Sequence, residues 1–65
     1  MNKNLLEYEM KERGVSITEM CKRLGISQTT FYRKCNGKTE FTLGEIQAIV
    51  NILKLESPMG IFFAN

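Results

Sequence analysis

Apolar residues along this chain gather in four short stretches: Leu5, Leu6 and Met10; Met20, Cys21 and Leu24; Phe31 and Cys35; and Ile46, Ile49, Val50 and Leu53. Spacings of three and four lay such residues on one face of a helix, and no stretch alternates apolar and polar residues long enough for a strand. The boundaries point the same way. Asn4, Ser16, Ser27 and Thr42 are each followed three places later by Glu or Thr. In that arrangement a short side chain caps the free N–H groups of a first helical turn.

The first helix is predicted to start near Asn2 or Asn4 and to run to about Arg13, where Gly14 stops it. The second starts at Ser16, with Glu19 reaching back to the cap and Val15 stapling against Met20, and it stops at Gly25. The third starts at Ser27, with Ile26 stapling against Phe31, and ends at Asn36-Gly37. Thr42 opens the fourth, with Glu45 in the capping-box position and Phe41 stapling against Ile46. Only Gly25, Ile26 and Ser27 separate the second and third helices, so residues 16–36 read as a helix-turn-helix. The fold class is therefore all-α, a compact bundle of four to five short helices in one domain, residues 1–65.

The fourth helix carries a second apolar stripe, Ala48, Ile52 and Leu55, which needs something to pack against. One candidate is the C-terminal segment 57–65, "SPMGIFFAN", where Ser57 and Pro58 suit an N-cap and a first helical position. The other is a second copy of the protein, which would make the chain a homodimer.

Charge changes the picture by its distribution. The net charge is only +2, yet residues 20–39 hold Lys22, Arg23, Arg33, Lys34 and Lys38 with no acidic residue, while the other positions carry four basic and seven acidic residues. A basic zone on a nearly neutral chain is the footprint of a polyanion binder. The third helix sits inside that zone, and its cap is followed by Thr30 where the second and fourth helices have Glu. A helix that presents its positive end to phosphate gains nothing from a resident carboxylate. With Phe31 and Cys35 turned inward, Gln28, Thr29, Tyr32 and Arg33 turn outward. Gln bonds adenine and Arg bonds guanine in bidentate fashion, and Thr meets thymine or another base edge. Tyr32 suits a sugar, a thymine methyl or a phosphate.

Other chemistries find less support. The chain has no His and no Asp, so no acid–base pair, activated nucleophile or paired Cys/His zinc site emerges. No cofactor, no metal and no small-molecule substrate is expected. Cys21 and Cys35 stand where the helical pattern calls for small apolar residues, and they read as free thiols in the core. No apolar run approaches the roughly 20 residues that span a membrane, and the N-terminus lacks the apolar core of a signal peptide, so a cytoplasmic location is expected.

The run Ser16–Leu55, "SITEMCKRLGISQTTFYRKCNGKTEFTLGEIQAIVNILKL", resembles the lambda-repressor-like DNA-binding domains of the Cro and XRE type, common in phages and bacteria. The features that carry the resemblance are Cys21, Gly25 four residues later, Ile26, Ser27 opening the third helix, Phe31 within it, the "NGK" exit and the apolar helix that follows. The resemblance implies that the helix 28–35 enters the major groove and that the second helix lies across the backbone. It also implies phosphate contacts from Asn36 and Lys38. Many relatives carry Gln at the position of Ile17, where it meets phosphate and braces the recognition helix, so here that contact is absent or falls to Thr18. Lys34 occupies a position that is often apolar, and the back of the helix is then either less buried or covered by the Lys stem. The phosphate-facing set is Thr18, Ser27, Lys34, Asn36 and Lys38.

The function expected is sequence-specific binding of double-stranded DNA by a small transcriptional repressor or regulator. A dimer would read two half-sites about 34 Å apart. The alternative is a protein-interaction module, of antitoxin or anti-repressor type, built on the same fold.

Overall fold

The computed structural model describes residues 1–63. Helices α1 (Lys3–Glu12), α2 (Ile17–Leu24), α3 (Gln28–Cys35) and α4 (Leu43–Leu53) are followed by a π-helical segment, Met59–Phe63, and no strand occurs among the described residues. The radius of gyration is 10.6 Å, against about 10.7 Å for a compact chain of this length.

Local chemistry sets the helix starts. Asn2, not Asn4, caps α1, its side chain accepting from the Leu5 N–H at 3.0 Å, and Asn4 falls inside the helix. Ser16 accepts from the Glu19 N–H at 3.0 Å, and Ser27 accepts from the Thr30 N–H at 3.1 Å. The reciprocal capping box closes at α4, where Thr42 and Glu45 each accept from the other's backbone N–H at 3.1 and 2.9 Å. At α2 only half of the expected box forms: Ser16 caps, while exposed Glu19 does not return to it. Glu45 differs in having Lys34 beside it to hold its carboxylate in place.

The stops follow a common pattern. At the end of α2, Gly25 takes the left-handed conformation at φ 72°, and the Gly25 and Ile26 N–H groups donate to the carbonyls of Lys22 and Cys21. That closure satisfies two otherwise free carbonyls and reverses the chain. The same pair of bonds ends α1, α3 and α4, but α4 uses Lys54 at φ 54° instead of a glycine.

The core draws on every element: Leu6 and Met10 of α1, Met20 and Cys21 of α2, Phe31 of α3, Ile49 and Leu53 of α4, and Ile61 of the terminal segment. On α4 the packed residues are Ile49, Ile52 and Leu53, and Leu55 follows just beyond the helix; Ile52 and Leu55 are half-buried against the core. Ile46 and Val50, expected on the inner stripe, are only half-buried, because α4 turns its Ile49 side toward the core. The terminal segment docks on the start of α1, where the Asn2 N–H donates to the Ile61 carbonyl at 2.6 Å. Ser57 accepts from the Met59 N–H at 3.0 Å, as its expected capping role requires. Ile61 is buried and Phe62 is half-buried against the core, while Met59 and Phe63 are exposed; Ala64 and Asn65, the end of the segment 57–65, lie outside the described residues. A chain of edge-to-face rings, Phe31 to Phe41 to Phe62 with centroids 5.9 and 5.5 Å apart, links α3 to the C-terminal segment.

Candidate nucleic-acid interface

The turn Gly25–Ser27 fixes α3 against α2, and Phe31, 1% exposed, pins the inner side of α3 to the core. Helical periodicity then decides what faces out. Gln28, Thr29, Tyr32 and Arg33 are all exposed and lie on one surface. Tyr32 is 47% exposed and rests its ring edge-on to Phe31 at 6.3 Å, which holds the aromatic plane while leaving the hydroxyl end free. Arg33 makes no ion pair among the described residues, so its guanidinium is available as a bidentate donor.

Gln28 is held from α2. Its Nε2 donates to the Thr18 hydroxyl oxygen at 3.1 Å. One amide N–H is thereby used, leaving Oε1 and the second N–H, the acceptor and donor that adenine's edge requires. Thr18 keeps its own hydroxyl proton to donate outward. Ile17 is half-buried against the core, so this position is a packing residue. Thr18, the next residue, is the one that holds Gln28.

At the helix start the Ser27 hydroxyl both accepts from the Thr30 N–H and donates to the Thr30 hydroxyl oxygen at 2.9 Å. The cap is thus closed by two neutral hydroxyls, with no carboxylate in the first turn. At the helix exit Asn36 and Lys38 are exposed, and the Asn36 Oδ1 accepts from Lys3 Nζ at 3.0 Å. Lys3, on α1 and 33 residues away, is a basic residue at this surface that local sequence patterns do not reveal.

Lys34 lies elsewhere. Its side chain is 12% exposed, its ammonium pairs with Glu45 at 2.9 Å and donates to the Glu40 carbonyl at 3.1 Å, and it sits 5.8 Å from the centroid of the Phe41 ring. The Lys stem covers the back of α3, and its charge is neutralised inside the fold rather than turned toward a phosphate. Burial pushes the Glu45 carboxyl up, the Thr42 N–H and the Lys34 ammonium pull it down, and the downward pull wins.

Neither thiol is set up for reaction. Cys21 is buried and Cys35 half-buried, both are free, and burial raises each thiol, that of Cys35 to about 11. Thiolate is the nucleophile and the metal ligand, so at neutral pH both act as packing groups. Among the described residues no three His, Cys, Asp or Glu side chains gather to hold a metal ion, and no helix is long and apolar enough to cross a membrane.

No curated protein and no solved structure matches the chain significantly. A family model described as Cro/C1-type HTH DNA-binding domain matches residues 5–58, from Leu5 in α1 past the end of α4 to Pro58. The chain belongs to the Cro/C1-type helix-turn-helix family of DNA-binding domains.

Proposed function

We propose that this protein is a sequence-specific double-stranded DNA-binding regulator, a small repressor that acts by occupying an operator with α3 in the major groove. The outer face of α3 carries the proposal: Gln28, Thr29, Tyr32 and Arg33 are exposed together on a helix without a single carboxylate. The major groove, about 12 Å wide, admits one such helix. Arg33 is assigned to guanine, Gln28 to adenine through the atoms Thr18 leaves free, Thr29 to a thymine methyl, and Tyr32 to a sugar or methyl edge. Thr18 and Ser27 at the turn, and Asn36 and Lys38 at the exit, meet the flanking phosphates. Lys34 leaves that set, because its ammonium is already spent on Glu45 and Glu40.

The reading is of one domain, residues 1–65, working in the cytoplasm of a bacterial or phage-infected cell by binding and not by chemistry. It includes a homodimer, for which the terminal segment, with Met59 and Phe63 60% and 50% exposed, is the proposed contact, since Ile52 and Leu55 of the second stripe are packed against the core. The same exposed apolar residues favour a second reading, a module of antitoxin or anti-repressor type whose partner is a protein.

Selection of random duplexes with purified protein at about 150 mM salt separates these readings, since sequence-blind phosphate binding is weak there. An enriched inverted repeat supports the dimeric regulator, and a single enriched half-site supports a monomeric one. If nothing enriches, and only sequence-blind binding returns at low salt, operator reading fails and a protein partner becomes the better account.

A further inference from the structure

The bond between Lys3 and Asn36 brings a basic residue from outside the helix-turn-helix to the exit of α3. It joins two exposed side chains 33 residues apart, Nζ to Oδ1 at 3.0 Å. An ammonium has no acceptor, so it fixes the carboxamide with Oδ1 toward Lys3 and the NH2 turned away. Asn36 caps α3 three and four residues beyond Arg33 and Tyr32 and, like them, is exposed. Lys3 itself keeps two further N–H groups and a full positive charge, next to two amide donors. One phosphate group can take a bond from each, which is a charge-assisted arrangement suited to phosphate oxygens.

The position is not left to a loose tail. Lys3 opens α1, whose start is capped by Asn2 and tied to the terminal segment by the Asn2 N–H bond to Ile61. We propose that Lys3 is a DNA-phosphate ligand, which meets the backbone together with Asn36 at the exit of the recognition helix and orients the Asn36 amide for it. This inference rests on the placement of α3 in the groove proposed above, and it extends the interface onto α1. As a phosphate ligand, Lys3 adds to affinity without reading sequence.

Binding of the full chain to a mixed-sequence duplex of about 20 base pairs, titrated between 50 and 200 mM salt, tests it. Each phosphate neutralised steepens the fall of log K with log salt by about 0.9. Lys3→Gln should flatten that slope by about 0.9, so that over this range the variant loses roughly 3.5-fold less affinity than the natural chain. Lys11→Gln, which removes an exposed charge from the last turn of α1, should leave the slope unchanged. Both variants should keep the natural thermal midpoint. A Lys3→Gln slope equal to that of the natural chain overturns the proposal, and so does an equal flattening by Lys11→Gln, which would report general charge only. If the natural chain itself binds no duplex at any salt, the failure belongs to the DNA-binding reading as a whole and takes this inference with it.

Discussion

The two sides of α3 put the same kinds of residue to opposite uses. Arg33 and Lys34 are adjacent and carry the same charge, yet Arg33 stands exposed with no ion-pair partner among the described residues while Lys34 is drawn down over Phe41 to Glu45. Tyr32 and Phe31 are likewise neighbours, one 47% exposed and the other 1%. One side of eight residues is buried in the fold and the other, exposed, is the side proposed to meet DNA. A turn of about 100° per residue is enough to separate the two tasks. Substitutions on either side should therefore move different observables.

The largest effect is expected from the inner side. Phe31→Ala removes a fully buried ring that also begins the aromatic chain to Phe41 and Phe62, and a buried Phe→Ala change costs about 3–5 kcal/mol. A domain this small has little more than that in reserve. Urea denaturation should show the variant largely unfolded, with DNA binding lost only because the fold is lost. A cooperative transition near the natural midpoint would mean that the inner side is not what holds α3.

Lys34 comes next. Lys34→Met keeps the stem over Phe41 but removes the ammonium from a pair whose side chains are only 12% and 17% exposed. Hydrogen bonds to charged groups contribute about 1.5–3 kcal/mol, so a loss in that range is expected in urea at neutral pH. Its pH dependence follows from Glu45, whose folded carboxyl titrates below the ordinary value. A lowered folded pKa contributes stability that is fully present above the unfolded value, about 4.3, and is lost as pH falls through the folded one. The gap between the natural chain and Lys34→Met should therefore be constant near neutrality and close in acid. A gap that persists at pH 2 would assign the loss to packing instead of the ion pair.

The outer side gives the complementary result. Arg33→Ala should cost about 1–3 kcal/mol of binding to a selected operator and relax preference at one base position. Its urea midpoint should not move, since the guanidinium has no ion-pair partner among the described residues. A shift in stability without a change in binding would reverse the assignment of the two sides.

How much of this was legible beforehand depends on the range over which each interaction acts. Caps act over three residues, which is why Ser16, Ser27 and Thr42 could be read directly, and why the first helix was ambiguous only between Asn2 and Asn4. Once Phe31 is turned inward, the helical period places Gln28, Thr29, Tyr32 and Arg33 outside without further information. Interactions set by the crossing of helices have no such local signal. Lys34 with Glu45 depends on how α4 lies against α3, Lys3 with Asn36 on where α1 begins, and Arg13 Nε donating to the Leu53 carbonyl on a contact spanning 40 residues. A count of charges treats Arg33 and Lys34 alike, and only the three-dimensional arrangement separates them. The same limit explains α4, whose apolar residues surround too much of the helix for its pattern to single out Ile49 and Leu53 over Ile46 and Val50.

The smallest effect provides a control on the comparison, because it alters stability far from either side of α3. α4 ends on Lys54 at φ 54°, the one residue with positive φ among the described residues that is not glycine. A left-handed residue with a Cβ costs about 1–2 kcal/mol, and the greater freedom of glycine in the unfolded chain returns about 0.4–1 of it. Lys54→Gly should therefore stabilise the domain by about 0.5–1 kcal/mol and raise its thermal midpoint by several degrees. Lys54 is exposed and outside the helix-turn-helix, so operator affinity at low temperature, where both chains are folded, should be unchanged. If affinity instead rose with stability, folding would be coupled to binding, and part of the loss in Arg33→Ala would have to be reassigned from base reading to the order of α3.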